Sequence, residues 1–477
     1  MEPVALYDMH RGRGGVAALA MALAVALGVG ACSSRPAGQR LASPLRGGVV
    51  TPPDAATTTT AAPGPAGPGQ VVAGPAHPAA PAAPPTTGVN PLGAAMEGIN
   101  ACLIVVKGTE PVAAVNPDMP LAPASTLKLL TAAAALTRLG PDFRFVTRVV
   151  APAPPRPDGT VDALYLVGGG DPVLSTPDFA GWVAKKPALA GAALTPMADL
   201  AASVASAGVR AVPGGIHGDD SRYDRTRYLS SWPASTKSEG DIGPVGALSV
   251  NHGYTSWDPR AIVAPDPADY ASNAFARLLN ARGVAAAQSN SWNAPANGVV
   301  LAQISSPPLS QLICDMLRSS DNYIAELVTR ELDRYGGGSG TTEGGTQVTA
   351  ATLASLGLPT VGSVLLDGSG LSPGNRSTCR LELSVLQLAS RPGLSALHDG
   401  LSVAGVNGTL AKRYVGTPVQ GKLTAKTGWI NGAAAMVGNL QLGAPLQFAF
   451  IGNGRFGYPN AVGREDQLVT GLMRLSG

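Results

Sequence analysis

The chain is poor in the residues that announce many binding chemistries. Its four cysteines, Cys32, Cys102, Cys314 and Cys379, lie far apart in 477 residues with no CxxC or Cys/His cluster, which argues against a structural zinc site. Aromatic residues make up only 5%, and the histidines are scattered; His217, His252 and His398 have no carboxylate at an evident spacing. An excess of one charge is missing too. The 34 basic and 31 acidic residues leave a net charge of +3, too balanced to imply a nucleic-acid partner. Glycine and alanine are plentiful instead, so glycine-punctuated connections are expected in the folded part.

The first hundred residues differ from the rest. His10, Arg11 and Arg13 precede an apolar run from Gly14 to Ala31, which ends at Cys32, Ser33 and Ser34. A short, positively flanked apolar segment with small residues at its end has the form of an export signal. Val29-Gly30-Ala31-Cys32 resembles the bacterial lipoprotein cleavage box. Three fates stay open: lipid on Cys32, simple cleavage, or an uncleaved anchor. In each the bulk of the chain is extracytoplasmic, where a disulfide is permitted, and meets a membrane only through this segment or a lipid. If Cys32 carries lipid, one of the other three cysteines must be free or intermolecular. Residues 33–95 are rich in Pro, Ala, Gly and Thr, with too little apolar surface to fold alone, and read as a tether.

Order is predicted to begin near Met96. Ala101 to Asp118 reads as a hairpin, and the stretch from Ser125 to Leu139 as a helix with Leu127, Leu130 and Ala134 along one side. After Gly140-Pro141 come short strands, a glycine turn at Gly168-Gly169-Gly170-Asp171, and a helix over Pro196–Ser206. Residues 211 to about 300 read as short strands and irregular chain. Helices return between Pro307 and Gly337, with a joint at Ser319–Asn322. Further helices are expected over Val348–Leu356, Leu381–Ala389 and Glu465–Leu475, and strands over Gly421–Leu440 and Leu446–Gly454. A hairpin and helix at the front with strands and a helix at the back suggest one α/β domain, residues 96–144 and 301–477, split by an insertion at 145–300.

Ser125 and Lys128 stand three apart in the first turn of their helix, so both point to one side. An amine made basic by burial or a nearby cation can activate such a serine. Alone the pattern is cheap, because Ser125 can equally cap the helix while Lys128 reaches solvent. Two further motifs follow in order: Ser320-Asp321-Asn322 at the helix joint, and Lys426-Thr427-Gly428 on a strand. This triple is the signature of serine penicillin-binding proteins and class A β-lactamases.

Five longer stretches narrow the resemblance: GGGDPVL from Gly168, MLRSSDNYIAE from Met316, LLDGSGLSPGNRST from Leu365, VAGVNGTLAKR from Val403 and GKLTAKTG from Gly421. With them the chain resembles the class C low-molecular-mass penicillin-binding proteins, the D-alanyl-D-alanine carboxypeptidase/endopeptidases of peptidase family S13. The resemblance implies an α/β transpeptidase-like domain, an antiparallel sheet flanked by helices, interrupted by a largely β inserted region. It implies Ser125 as acylated nucleophile and Lys128 as general base, with a second ammonium nearby lowering the pKa of Lys128. Ser320 would relay a proton to the leaving amine, Asn322 hold the substrate amide, and Lys426, Thr427, Gly428 and Trp429 form the wall that meets the terminal carboxylate. Backbone N–H groups of Ser125 and Trp429 would form the oxyanion hole. No metal or cofactor is implied. The expected partners are peptidoglycan peptides ending in D-Ala-D-Ala, with β-lactams as covalent inhibitors.

One position departs from the family pattern. Trp429 stands where a Thr or Ser hydroxyl usually follows Lys-Thr-Gly, which favours some shift toward internal bonds, an endopeptidase role. Two other readings remain, a weak or inactive peptidoglycan-binding relative and a β-lactamase-like hydrolase on the same fold. Asp171, Asp367 and Asn375 are read as shaping turns and the cleft wall, and Cys314 as core.

Overall fold

The computed structural model describes residues 92–477, apart from 187, 188 and 190. The export signal, the tether and Cys32 lie outside the described residues.

The predicted hairpin is β1 (Asn100–Lys107) and β2 (Glu110–Val115). The strands that follow are β3 (Val146–Ala151), β4 (Leu164–Val167), β5 (Ala211–Asp219), β6 (Ala285–Gln288) and β7 (Val299–Ser305). The last group is β8 (Ser402–Val403), β9 (Leu423–Ile430), β10 (Ala433–Leu440) and β11 (Leu446–Asn453). They build a six-stranded sheet in the order β8-β9-β10-β11-β1-β2 and a five-stranded one in the order β6-β5-β4-β3-β7. The six-stranded sheet is antiparallel throughout, so the two ends of the folded chain meet where β1 pairs with β11.

Alternation along β1 explains how that sheet is covered on both faces. Cys102, Ile104 and Val106 join one core with α1 (Lys128–Arg138), while Ala101, Leu103 and Val105 join a second core. The helices α4 (Leu309–Ser319), α5 (Asn322–Tyr335), α6 (Thr342–Ser355) and α7 (Cys379–Gln387) complete the first layer. The helix α8 (Tyr458–Ser476) supplies Leu468, Val469 and Leu472 to the second. Every residue of β10 is buried, as expected of a central strand with helices on both sides.

Three sequence expectations need correction. The helix α1 was expected to show one apolar side, but all of Lys128–Leu136 is buried. It runs through the middle of the helical layer, and its four consecutive alanines, Ala132–Ala135, let neighbours approach from every direction. Residues 211–300 contain a 14-residue helix, α3 (Pro267–Asn280), where irregular chain was expected. Its start was legible: the Asp266 side chain accepts from the N–H groups of Ala268 and Asp269, and Pro267 opens the first turn. With α2 (Met197–Ser206) it packs on the five-stranded sheet around Leu200, Val204, Phe275 and Leu279. Finally, α6 begins six residues earlier than predicted. Gly344 and Gly345 lower its helix propensity, but Thr341 caps it by accepting from the Gly344 N–H at 3.0 Å.

The cysteine pairing left open by the sequence is Cys102–Cys379, which joins β1 to the first residue of α7 across 277 residues of chain. Cys314 is fully buried in the core and is disulfide-bonded as well, so no described cysteine is free. A cross-link closing so long a loop removes much unfolded-state entropy, typically about 2–5 kcal/mol of stability in a natural disulfide. The double variant Cys102→Ala/Cys379→Ala is therefore expected to melt several degrees lower than the wild type, by circular dichroism. An unchanged midpoint would show that the bond is not a stabilising one.

Candidate active site

The tight turn Ala124–Leu127 precedes α1, and Ala124 sits in the left-handed region at φ 49°. That conformation costs a non-glycine residue about 1 kcal/mol and needs support from its surroundings. Strand β9 supplies it by running directly across the turn. A Cβ on Gly428 would stand 2.7 Å from the Pro123 carbonyl oxygen and 3.1 Å from the Ser125 nitrogen. Only glycine permits this approach.

Lys128, one turn along, is fully buried. Its Nζ donates to Ser125 Oγ at 3.0 Å, Asn322 Oδ1 at 2.7 Å and the Ser369 carbonyl oxygen at 2.6 Å. Burial lowers its pKa to about 8, against the opposing pull of Asp367, Asp321 and Glu326. At pH 7 about a tenth of such a group is neutral, compared with less than ~0.1% of an ordinary lysine. The second ammonium was expected to cause this depression, but desolvation is its leading cause. The mutual repulsion is felt by Lys426, whose pKa lies well below the usual lysine value through burial first and the Lys128 charge second.

The joint between α4 and α5 brings the second motif to the same place. Ser320 is left-handed at φ 61°, ψ 38°, and ends α4. The cap of α5 is Asp321, whose side chain accepts from the Ile324 N–H at 2.9 Å. Ser320 and Asn322 are thereby released from the capping role that the sequence also allowed. Lys426 Nζ donates to Ser320 Oγ at 2.9 Å and to the Thr427 carbonyl oxygen at 2.7 Å. Asn322 spans two elements, accepting from Lys128 and donating through Nδ2 to the Asp241 carbonyl oxygen at 2.9 Å. Ser125, Lys128 and Asn322 thus form one hydrogen-bonded group, and Ser320 and Lys426 a second.

Thr427 and Trp429 are both half-buried. The Thr427 hydroxyl lies 2.8 Å from that of Thr409, and the indole of Trp429 meets Tyr458 edge-on, with ring centroids 5.1 Å apart. Asp367 holds the 367–375 loop by accepting from the N–H groups of Gly370 and Ser372, from Asn375 Nδ2 at 2.8 Å and from Trp232 Nε1 at 2.9 Å. Asp171 closes its glycine turn by accepting from the Val173 N–H.

Sequence reasoning did not single out the Ser369 carbonyl, Thr409, Asp241 or Glu326: none sits in a three-residue motif, and all but Glu326, one turn after Asn322, arrive from distant segments. Two histidines also do find carboxylates. His252 Nδ1 lies 3.7 Å from Asp321 Oδ2, a partner 69 positions away that spacing could not reveal, and His398 lies 3.5 Å from its neighbour Asp399. A groove of about 510 Å³ lined by Gly108, Gln387, His398, Asn439 and Gln447 contains none of the site residues. Among the described residues, no group of three or more His, Cys, Asp or Glu could hold a metal ion.

Residues 93–261 and 258–475 match the D-Ala-D-Ala carboxypeptidase 3 (S13) family. The chain belongs to that family. It is 30% identical over 436 residues to a D-alanyl-D-alanine carboxypeptidase of Actinomadura sp. strain R39, covering 75% of this chain and 78% of the relative. A carboxypeptidase of Mycobacterium tuberculosis is 34% identical over 366 residues, 74% and 76% of the two chains. Among solved structures, penicillin binding protein 4 from Haemophilus influenzae aligns with a TM-score of 0.68 at 22% identity, over 81% of this chain and all of that one. That likeness shows the shared fold, and family membership makes the protein a serine-type D-Ala-D-Ala carboxypeptidase.

The packing at Gly428 yields a direct test of this S13 site. In Gly428→Ala the new methyl must push β9 away from the Ser125 turn, and a displacement near 1 Å typically costs about 10²-fold in rate. Acylation by a fluorescent penicillin should slow by that order, with the melting temperature lowered by the few degrees that overpacking of about 1–3 kcal/mol brings. Wild-type labelling kinetics would show that the close approach does not matter.

Proposed function

We propose that the protein removes the terminal D-Ala from peptidoglycan stem peptides through an acyl-enzyme on Ser125. As a member of the S13 family it is an extracytoplasmic enzyme of the cell envelope that acts on peptidoglycan and binds β-lactams. The observation that carries the finer reading is the dry Lys128 ammonium held 3.0 Å from Ser125 Oγ.

In this mechanism neutral Lys128 accepts the Ser125 proton as Oγ attacks the carbonyl carbon of the penultimate residue. The N–H groups of Ser125 and Trp429 receive the developing oxyanion, a contribution of about 3 kcal/mol per donor in comparable sites. Ser320, hydrogen-bonded to Lys426, relays the proton that Lys128 took from Ser125 to the departing D-Ala amine, which leaves Lys128 neutral again. Water, deprotonated by Lys128, then attacks the ester, and that proton returns to Ser125 Oγ as the shortened peptide leaves. Asn322 keeps one N–H and one lone pair for the substrate amide after serving Lys128 and Asp241. Thr427 and Gly428 line the path of the terminal carboxylate, with Lys426 adding positive potential when protonated. In a β-lactam the leaving amine stays tethered to the acyl group, so the adduct on Ser125 persists.

Ser125→Ala should lose all covalent labelling by a fluorescent penicillin while remaining folded. Because the folded pKa of Lys128 is lowered to about 8, the neutral base becomes more abundant as pH rises. The wild-type acylation rate should therefore climb through pH 7 and level off above about 8. A flat profile between pH 6 and 9, or labelling that survives Ser125→Ala, would sink this assignment.

Trp429 supports extending the proposal to internal bonds. An indole packed on Tyr458 replaces a hydroxyl that would bind a free carboxylate, leaving Thr427 as the hydroxyl within the Lys-Thr-Gly motif. Digestion of purified cell-wall peptides distinguishes the two activities by product mass: loss of one alanine marks the carboxypeptidase, and monomers from cross-linked dimers mark the endopeptidase. Absence of monomers would confine the enzyme to terminal residues. No helix among the described residues is long and apolar enough to cross a membrane.

A further inference from the structure

Asn322 opens α5, and Glu326 lies one turn further on the same side of that helix. Glu326 is fully buried. Its Oε1 accepts from the N–H of Gly368 at 3.0 Å and of Ser369 at 2.8 Å, while Oε2 has no hydrogen-bond partner. The same short stretch of backbone faces α1 on its other side. The Ser369 carbonyl receives Lys128 Nζ at 2.6 Å, and the Gly368 carbonyl receives Thr131 Oγ1 at 2.8 Å. Residues 368–369 are therefore held between a carboxylate on α5 and two donors on α1. None of the three short motifs accounts for that carboxylate, and burying one is costly unless its bonds are needed.

We propose that Glu326 is a positioning residue for acyl transfer: by gripping the Gly368 and Ser369 N–H groups, it aims the Ser369 carbonyl at Lys128 and so holds the base against Ser125. The inference rests on Lys128 being the base. A lysine with three acceptors has its rotation about the terminal bond fixed, and the Ser369 carbonyl is the shortest of the three contacts. Without Glu326 the two N–H groups would lose their buried acceptor, and the loop would be free to turn the carbonyl away.

The charge of Glu326 has a separate effect that makes the role testable. The groups facing Lys128 are Asp321 from the helix joint, Asp367 from the loop, Glu326 from α5 and Lys426 from β9. Those facing Glu326 are Asp367 on the loop and Arg330 one turn along α5, the latter paired with Asp224. Burial and the Asp367 charge raise the Glu326 pKa, whereas the ionised Glu326 carboxylate raises that of Lys128. Removing the charge while keeping an oxygen acceptor should lower the proton affinity of Lys128. The acid limb of the acylation profile would then move to lower pH.

The experiment measures acylation by a fluorescent penicillin from pH 5.5 to 9.5 for the exported full-length protein and its Glu326→Gln and Glu326→Ala variants, with melting temperatures as folding controls. Glu326→Gln is expected to reach a plateau within a few-fold of wild type, with its acid limb displaced downward. Glu326→Ala is expected to lose about tenfold or more of the plateau rate, with the noncovalent affinity for the penicillin little changed. A Glu326→Ala plateau equal to wild type overturns the proposal, as does a Glu326→Gln limb that stays in place. If Glu326→Ala does not fold, the Glu326→Gln limb decides. Lys128→Met separates this inference from its premise: full acylation in that variant would refute Lys128 as base, whatever Glu326 does.

Discussion

Two lysine ammonium groups buried in one cleft are the constraint around which this protein is arranged. Lys128 and Lys426 are both shut off from water, and an unmatched buried charge costs several kcal/mol. The fold answers with acceptors. Ser125, Asn322 and the Ser369 carbonyl take Lys128, while Ser320 and the Thr427 carbonyl take Lys426. Buried carboxyls stand further out: Glu326 and Asp367 toward Lys128, Glu382 and Glu465 toward Lys426. Burial raises the pKa of each of these four, to about 8 for Glu382 and about 7 for Glu465. The result is a centre in which both lysines give up protons readily and the surrounding acids accept them more readily than usual.

The same constraint explains why segments from the five-stranded half of the molecule reach the cleft. The chain between β5 and α3 contributes Trp232 to Asp367 and the Asp241 carbonyl to Asn322. It also sends Arg222 and Tyr223 to Glu331, at 2.5 Å and 2.6 Å, and the Pro244 carbonyl to the Tyr323 hydroxyl. These contacts line one side of α5, whose other functional groups are Asn322 and Glu326. A helix carrying two polar groups into a dry site gains rigidity from such a network when every member is satisfied. The long connection is thus part of the catalytic wall as well as a link between strands.

Trp429 shows how one strand residue can change a wall without disturbing the machinery. Its neighbours Lys426 and Gly428 are held by burial and by a backbone approach that admits no side chain. Trp429 is half-exposed and leans on Tyr458 at the start of α8, outside both lysine clusters.

Much of this was legible in the residues. Apolar runs located β1, β2, β9, β10 and β11 of the six-stranded sheet but not β8, the three short motifs named Ser125, Lys128, Ser320, Asn322 and Lys426, and family S13 followed from longer stretches around them. These are local signals, carried by periodicity and by residues a few positions apart. Tertiary structure decided the rest. It buried α1 on every side, paired Cys102 with Cys379, put His252 beside Asp321 and made desolvation the main cause of the low Lys128 pKa. It also brought the Ser369 carbonyl to Lys128, and Glu326 to the Ser369 N–H, from segments some 200 residues downstream. Sequence spacing reports what one turn or one strand places together, whereas burial and long-range hydrogen bonds depend on which surfaces meet once the chain has folded.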